Sequence, residues 1–158
     1  AMEQTLGAFH PLVVHFPIAL LIASLLFDAV GWLWKRASFT EAALGIQACG
    51  VLGALAAVLT GNQAEEAVEG IPGIHDLLEQ HEQLGQIVFW VGLAVVALRF
   101  FLIWKRMLGQ QVKVLLTVLS LGLAILVGLT GYYGGKLVYE FGAGVEPVMR
   151  QLPPDTEH

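Results

Sequence analysis

Charge is scarce in this chain. Of its 158 residues only 13% are Asp, Glu, Lys or Arg, about half the share found in soluble domains. So few charges cannot clothe a water-facing surface. Cysteine is scarcer still. Cys49 stands alone inside an apolar run, which excludes a disulfide scaffold, a cysteine zinc site and an iron–sulfur cluster held by one chain. Eight basic residues against thirteen acidic ones give a net charge of -5, and no basic stripe is available for phosphates, so nucleic acid is excluded as a partner. No phosphate-binding loop is present, and Ser24, Ser38 and Ser120 lie far from every histidine, so nothing supports a hydrolase or transferase. The start of the chain, through Glu3 and Gln4, lacks the basic segment and small-residue cleavage site of a signal peptide, and none is expected.

Apolar sequence is what the chain has in abundance. Hydrophobic residues make up 56% of it, and the mean hydropathy is +0.71. Four apolar runs cover about residues 11–34, 42–60, 76–104 and 112–133, each long enough to cross roughly 30 Å of hydrocarbon at 1.5 Å per residue. In lipid such runs must be helical, because every backbone polar group has to be satisfied within its own segment. The expected fold is all-α: a single membrane domain of four transmembrane helices, followed by a tail from Gly134-Gly135 to residue 158.

Charge sets the expected orientation. Lys35, Arg36, Lys105, Arg106 and Lys113 flank the two short connections, whereas the opposite edge carries mostly Asp and Glu. The positive-inside rule places both termini and the long loop between the second and third helices outside the cytoplasm. In a bacterium this means an inner-membrane protein with that edge in the periplasm. Trp32, Trp34 and Trp104 fall at the inner edge, where interfacial tryptophans belong.

Two charges lie inside the runs. Asp28 and Arg99 fall at nearly the same depth on two helices running in the same direction. A lone intramembrane charge costs about 2.5–3.5 kcal/mol on insertion scales, so the two are expected to face each other as a structural ion pair.

His10, His15, His75 and His81 all fall at the outer edge. His15 shares its helical face with Pro11, Leu12, Ile18, Ala19 and Ile22. His81 shares its face with Leu77, Leu78, Leu84, Gly85 and Val88. His75 lies on a stripe with Glu79 and Glu82, and His10 precedes Pro11 at the helix start. Pro17 is placed to distort the first helix and re-aim a nearby ring. Two histidines facing each other across a bundle can bind both axial positions of a haem iron. The competing reading is zinc or copper held by His10, His15, His75 and His81 with nearby glutamates. A carboxylate-bridged di-iron site would need a Glu-x-x-His repeat, and none is present. A structural subunit with no cofactor is the third reading.

The segment His10-Pro-Leu-Val-Val-His15-Phe-Pro resembles the opening of a bacterial membrane-protein family of unknown function, DUF2231. Asp28, Thr60-Gly61, His81-Glu82 and the run from Gly134 through Tyr139 to Val145 follow in the order of that family. The resemblance covers about residues 8 to 146 and implies a four-helix membrane protein. It maps the family histidines onto His10, His15 and His81. Fusion of some relatives to cytochrome c-like domains implies redox work at the outer face.

The resulting expectation is a b-type cytochrome-like electron carrier. His15 and His81 are the axial ligands, His10 binds a second site or a propionate, and Gly131, Gly134 and Gly135 make room for the ring. Tyr132, Tyr133 and Lys136 are candidates for a propionate or a quinone headgroup. Expected partners are the lipid bilayer and a periplasmic redox protein or quinone, with a homo-oligomer open.

Overall fold

The computed structural model describes residues 6–145. A 3-10 turn, Leu6–Phe9, leads into α1 (His10–Val13) and α2 (His15–Leu33), which together form the first span. α3 (Ala37–Glu65), α4 (His75–Trp104) and α5 (Gln110–Phe141) are the other three. All four spans are long and apolar enough to cross a membrane. Among the described residues there is no strand.

The distribution of polarity is inverted relative to a soluble bundle. Ser24, Asp28, Thr40, Gln47, Arg99, Lys113 and Ser120 are buried, while Leu26, Leu52, Trp90, Phe100 and Val118 lie on the outside. Soluble monomers rarely expose apolar patches beyond a few hundred Å². A coat of this kind is stable against acyl chains.

The first span breaks at Val14. Pro17 has no N–H to give the carbonyl four residues earlier, and its ring crowds that carbonyl, so the ladder is interrupted there. The proline ring is received by α3, where a Cβ on Gly53 would lie 3.1 Å from Pro17 Cδ. Gly7 is packed more tightly still: a Cβ there would meet the backbone N of Ala64 at 2.7 Å. This contact fixes the start of the first span against the end of α3.

Helix lengths differ from expectation at one end. α3 runs to Glu65 and α5 to Phe141, so Gly61 and Gly134-Gly135 are helical and the expected tail does not begin at Gly134. Glycine costs a helix about 1 kcal/mol per residue, but in lipid an open backbone costs several kcal/mol, and the helix continues. It stops at Gly142, which takes the left-handed conformation (φ 67°) and donates its N–H to the Val138 carbonyl at 2.9 Å. Residues 146–158 lie outside the described residues.

At the opposite end, α2 and α4 finish alike. Lys35 and Arg106 take left-handed φ values of 56° and 55°. The next residues donate back five positions, Arg36 N to Gly31 O at 3.0 Å and Met107 N to Leu102 O at 2.9 Å. Both are Schellman closures made without glycine.

α2 packs on α3 and α5, and α4 packs on the same two helices. The first and third spans are therefore diagonal in the bundle. Leu21, Val51, Ala54, Val88, Leu123 and Val127 form an apolar layer across its middle. Residues 66–74 fold over one end and bury Val68, Ile71 and Ile74 against Leu78 and Leu137. Two polar layers lie on either side of the central apolar one.

Candidate functional site

The layer nearer the short connections holds the charges. Arg99 donates from Nη1 to Asp28 Oδ1 and from Nη2 to Asp28 Oδ2, both at 2.6 Å. Its Nε donates to Gln47 Oε1 at 3.0 Å, and Ser120 Oγ donates to Asp28 Oδ2 at 2.6 Å. Both charged side chains are essentially inaccessible. The expected facing of Asp28 and Arg99 is present as a bidentate pair, and every span contributes a partner to it. Among the described residues, Thr40 Oγ1 and Gln47 Nε2 on its rim have no hydrogen-bond partner.

The other layer holds two histidines. His10 begins α1, as its position before Pro11 implied, and His81 lies on α4. Their ring centroids are 6.2 Å apart with planes at 83°. The pair sits between the central apolar layer and the cap formed by residues 66–74, since Leu78 belongs to the cap cluster and Val88 to the central one.

Each ring is held by Nδ1. His81 Nδ1 lies 3.0 Å from the Thr130 carbonyl oxygen. A carbonyl only accepts, so Nδ1 carries the proton. His10 Nδ1 lies 3.1 Å from Thr60 Oγ1. The Thr60 hydroxyl proton is engaged by the Ala56 carbonyl at 2.9 Å, so its oxygen accepts from His10 and Nδ1 again carries the proton. In both rings Nε2 keeps its lone pair, and among the described residues no protein donor meets it. Donation from Nδ1 to an oxygen is the arrangement that orients metal-binding imidazoles.

Glycine makes the fit possible on both flanks. A Cβ on Gly134 would lie 2.9 Å from His81 Cε1, and one on Gly61 would lie 3.1 Å from His10 Cε1. Gly131 and Gly135, expected to line the site, have open space on their Cβ side instead; the glycine that meets an imidazole on α5 is Gly134.

His15 is a correction. It is exposed, in company with Leu12, Phe16 and Ile22. The apolar neighbours of His15 predict an inward face, but in a membrane that face meets lipid. The partner across from His81 is His10. His75 is exposed at the start of α4, so the four histidines are not gathered. Among the described residues no group of three or more His, Cys, Asp or Glu side chains is placed to hold a metal ion, so the structure does not bring His10, His15, His75 and His81 together as expected for a zinc or copper site. Tyr132 is exposed, and Lys136 pairs with Glu140 at 3.5 Å on its own helix.

A signal for His10 was present in the sequence. Counting back from Asp28 in steps of four and three reaches Ser24, Leu21, Pro17, Val14 and His10, and the same steps from Arg99 reach Val95, Gly92, Val88, Gly85 and His81. Most of these positions are buried. The heptad stripe that contains the charges also contains the two histidines.

The family model for a predicted membrane protein, DUF2231, matches residues 7–147. The chain belongs to this family. The match spans the whole bundle, from the Gly7 contact through the αL cap at Gly142, so both polar layers of this DUF2231 protein fall within the family region. No curated protein and no solved structure matches the chain.

Proposed function

We propose that this DUF2231 protein is a membrane electron carrier that binds one haem b between His10 and His81. The observation that supports the reading is the pair of imidazoles with Nδ1 committed and Nε2 free. The ring centroids lie 6.2 Å apart, and His10 and His81 are the residues that would hold the iron through their free Nε2 atoms.

The donor set fits haem better than a bare ion. Structural zinc takes four protein ligands and catalytic zinc three. Two imidazoles are what an iron needs when a porphyrin supplies the other four nitrogens. Haem held there supplies one-electron chemistry between ferrous and ferric iron. The protein's part is to hold the rings, through Thr60 and the Thr130 carbonyl, and to keep water away by the apolar layers on both sides. Low polarity around an iron is one of the levers that set its potential.

In the proposed orientation the Lys35-Arg36 and Lys105-Arg106 ends lie in the cytoplasm of a bacterial cell, by the positive-inside rule. The histidines then lie at the periplasmic edge of the inner membrane, within reach of a periplasmic redox protein. A groove of about 440 Å³ is lined by Gln80, Gln83, Leu84, Ile87, Leu129 and Tyr133, on α4 and α5 at the level of His81. Its apolar walls and three polar tips suit a quinone ring as electron donor.

The test is the visible spectrum of detergent-purified protein, oxidised by air and then reduced by dithionite. A sharp Soret band and a reduced α-band supports low-spin haem with two histidines. Protein from haem-sufficient cells with no such bands rejects the reading, and elemental analysis for copper or zinc follows.

A further inference from the structure

The two polar layers obey one rule of repetition. The interval from His10 to Asp28 equals that from His81 to Arg99, each pair being offset by 71 positions. Trp34-Lys35-Arg36 recurs about 70 positions later as Trp104-Lys105-Arg106, and Thr60-Gly61 recurs as Thr130-Gly131. The structure repeats along with the sequence. His10 reaches Thr60 across 50 positions and His81 reaches Thr130 across 49. Each Trp-Lys-Arg segment carries one left-handed residue, Lys35 in the first and Arg106 one position further along in the second, followed by the same closing bond. The first and third spans run in the same direction and face each other on the diagonal.

We infer that the chain is two copies of one helical hairpin, related by a pseudo-two-fold axis along the membrane normal, and that the histidine layer is a single ligand site made of two equivalent halves. Parallel repeats about such an axis place ligand sites at the interface of the repeats. Each half consists of one histidine from the first helix of its hairpin and one threonine from the second. The equivalent contacts are not atom for atom the same: Thr60 uses its hydroxyl and Thr130 its carbonyl. Both accept from Nδ1, so Thr60 is the positioning residue of the first half. The inner layer stands on the same axis, with the acid from one copy and the base from the other. The inference holds whatever the ligand is, because it concerns the two halves and not what lies between them.

The test reads the rings directly. Full-length protein labelled with 15N-histidine is prepared in detergent, reduced if coloured, and the His10 and His81 signals are assigned by their loss in H10A and H81A. Both rings are expected to show a protonated Nδ1 and an unprotonated or metal-bound Nε2. Thr60→Val is expected to disturb the His10 signals and leave those of His81 in place, and Thr60→Ser to restore them. Opposite tautomers in the two rings, or a Thr60→Val protein with unchanged His10 signals, overturn the inference. The absorption spectrum of the same samples reports on haem separately, so a colourless protein with two matching tautomers rejects the haem reading and keeps the two-half site.

Discussion

The two polar layers of this bundle lie on the same diagonal and in the same heptad register, yet they differ in how far the protein satisfies them. At the charged layer, Asp28 and Arg99 meet each other and draw in Gln47 and Ser120. At the histidine layer, each ring spends one nitrogen on the protein and leaves the other bare. Two half-buried imidazoles with a nitrogen to spare can take a ligand, whereas the charges of the first layer are used up on each other, so the first layer has the character of a fastening and the second is the candidate site.

Breaking the charged layer gives the largest effect. Replacing Arg99 by Met leaves the Asp28 carboxylate buried without its counter-charge, which costs about 3–5 kcal/mol, and the yield of monodisperse protein in detergent is expected to fall severely. The double variant Asp28→Leu with Arg99→Met removes both charges and is expected to recover most of that stability, since apolar replacement of a whole buried pair is often neutral. If the double variant is no better than the single one, the layer is more than a fastening.

The histidine layer should respond in the opposite sense. His10→Ala or His81→Ala is expected to change thermal stability by no more than about 1–2 kcal/mol while abolishing the low-spin haem spectrum. His15→Ala and His75→Ala, both at exposed positions, are expected to change neither.

The flanking glycines sharpen the comparison within the histidine layer. Gly134→Ala pushes a methyl group against His81, and crowding of this kind costs about 1–3 kcal/mol. Gly61→Ala meets His10 from slightly farther away and is expected to cost less. The order of the two melting temperatures checks this. Gly131→Ala, with open space at its Cβ, should be the mildest and is expected to stabilise α5 by up to about 1 kcal/mol through helix propensity.

Much of the architecture was legible in the sequence, because hydrophobic length is a strong signal and lipid permits few alternatives. The four spans and the facing of Asp28 with Arg99 followed directly. Two readings did not carry over. Gly61 and Gly134-Gly135 look like helix stops by the rules of aqueous turns, but in the membrane the helices run through them. His15 looked inward because its neighbours are apolar, a criterion that works where the outside is water. In this bundle Leu12 and Ile22 are on the outside because the outside is oil. The reliable marker is the heptad stripe leading back from each buried charge, and it leads to His10 and His81.

The claim that His10, and not His15, completes the site with His81 is tested most directly by reduced-minus-oxidised spectra of the wild-type protein, H10A and H15A, prepared in parallel. The account predicts an α-band in wild type, its loss in H10A and its retention in H15A. An α-band that survives in H10A and disappears in H15A would contradict it.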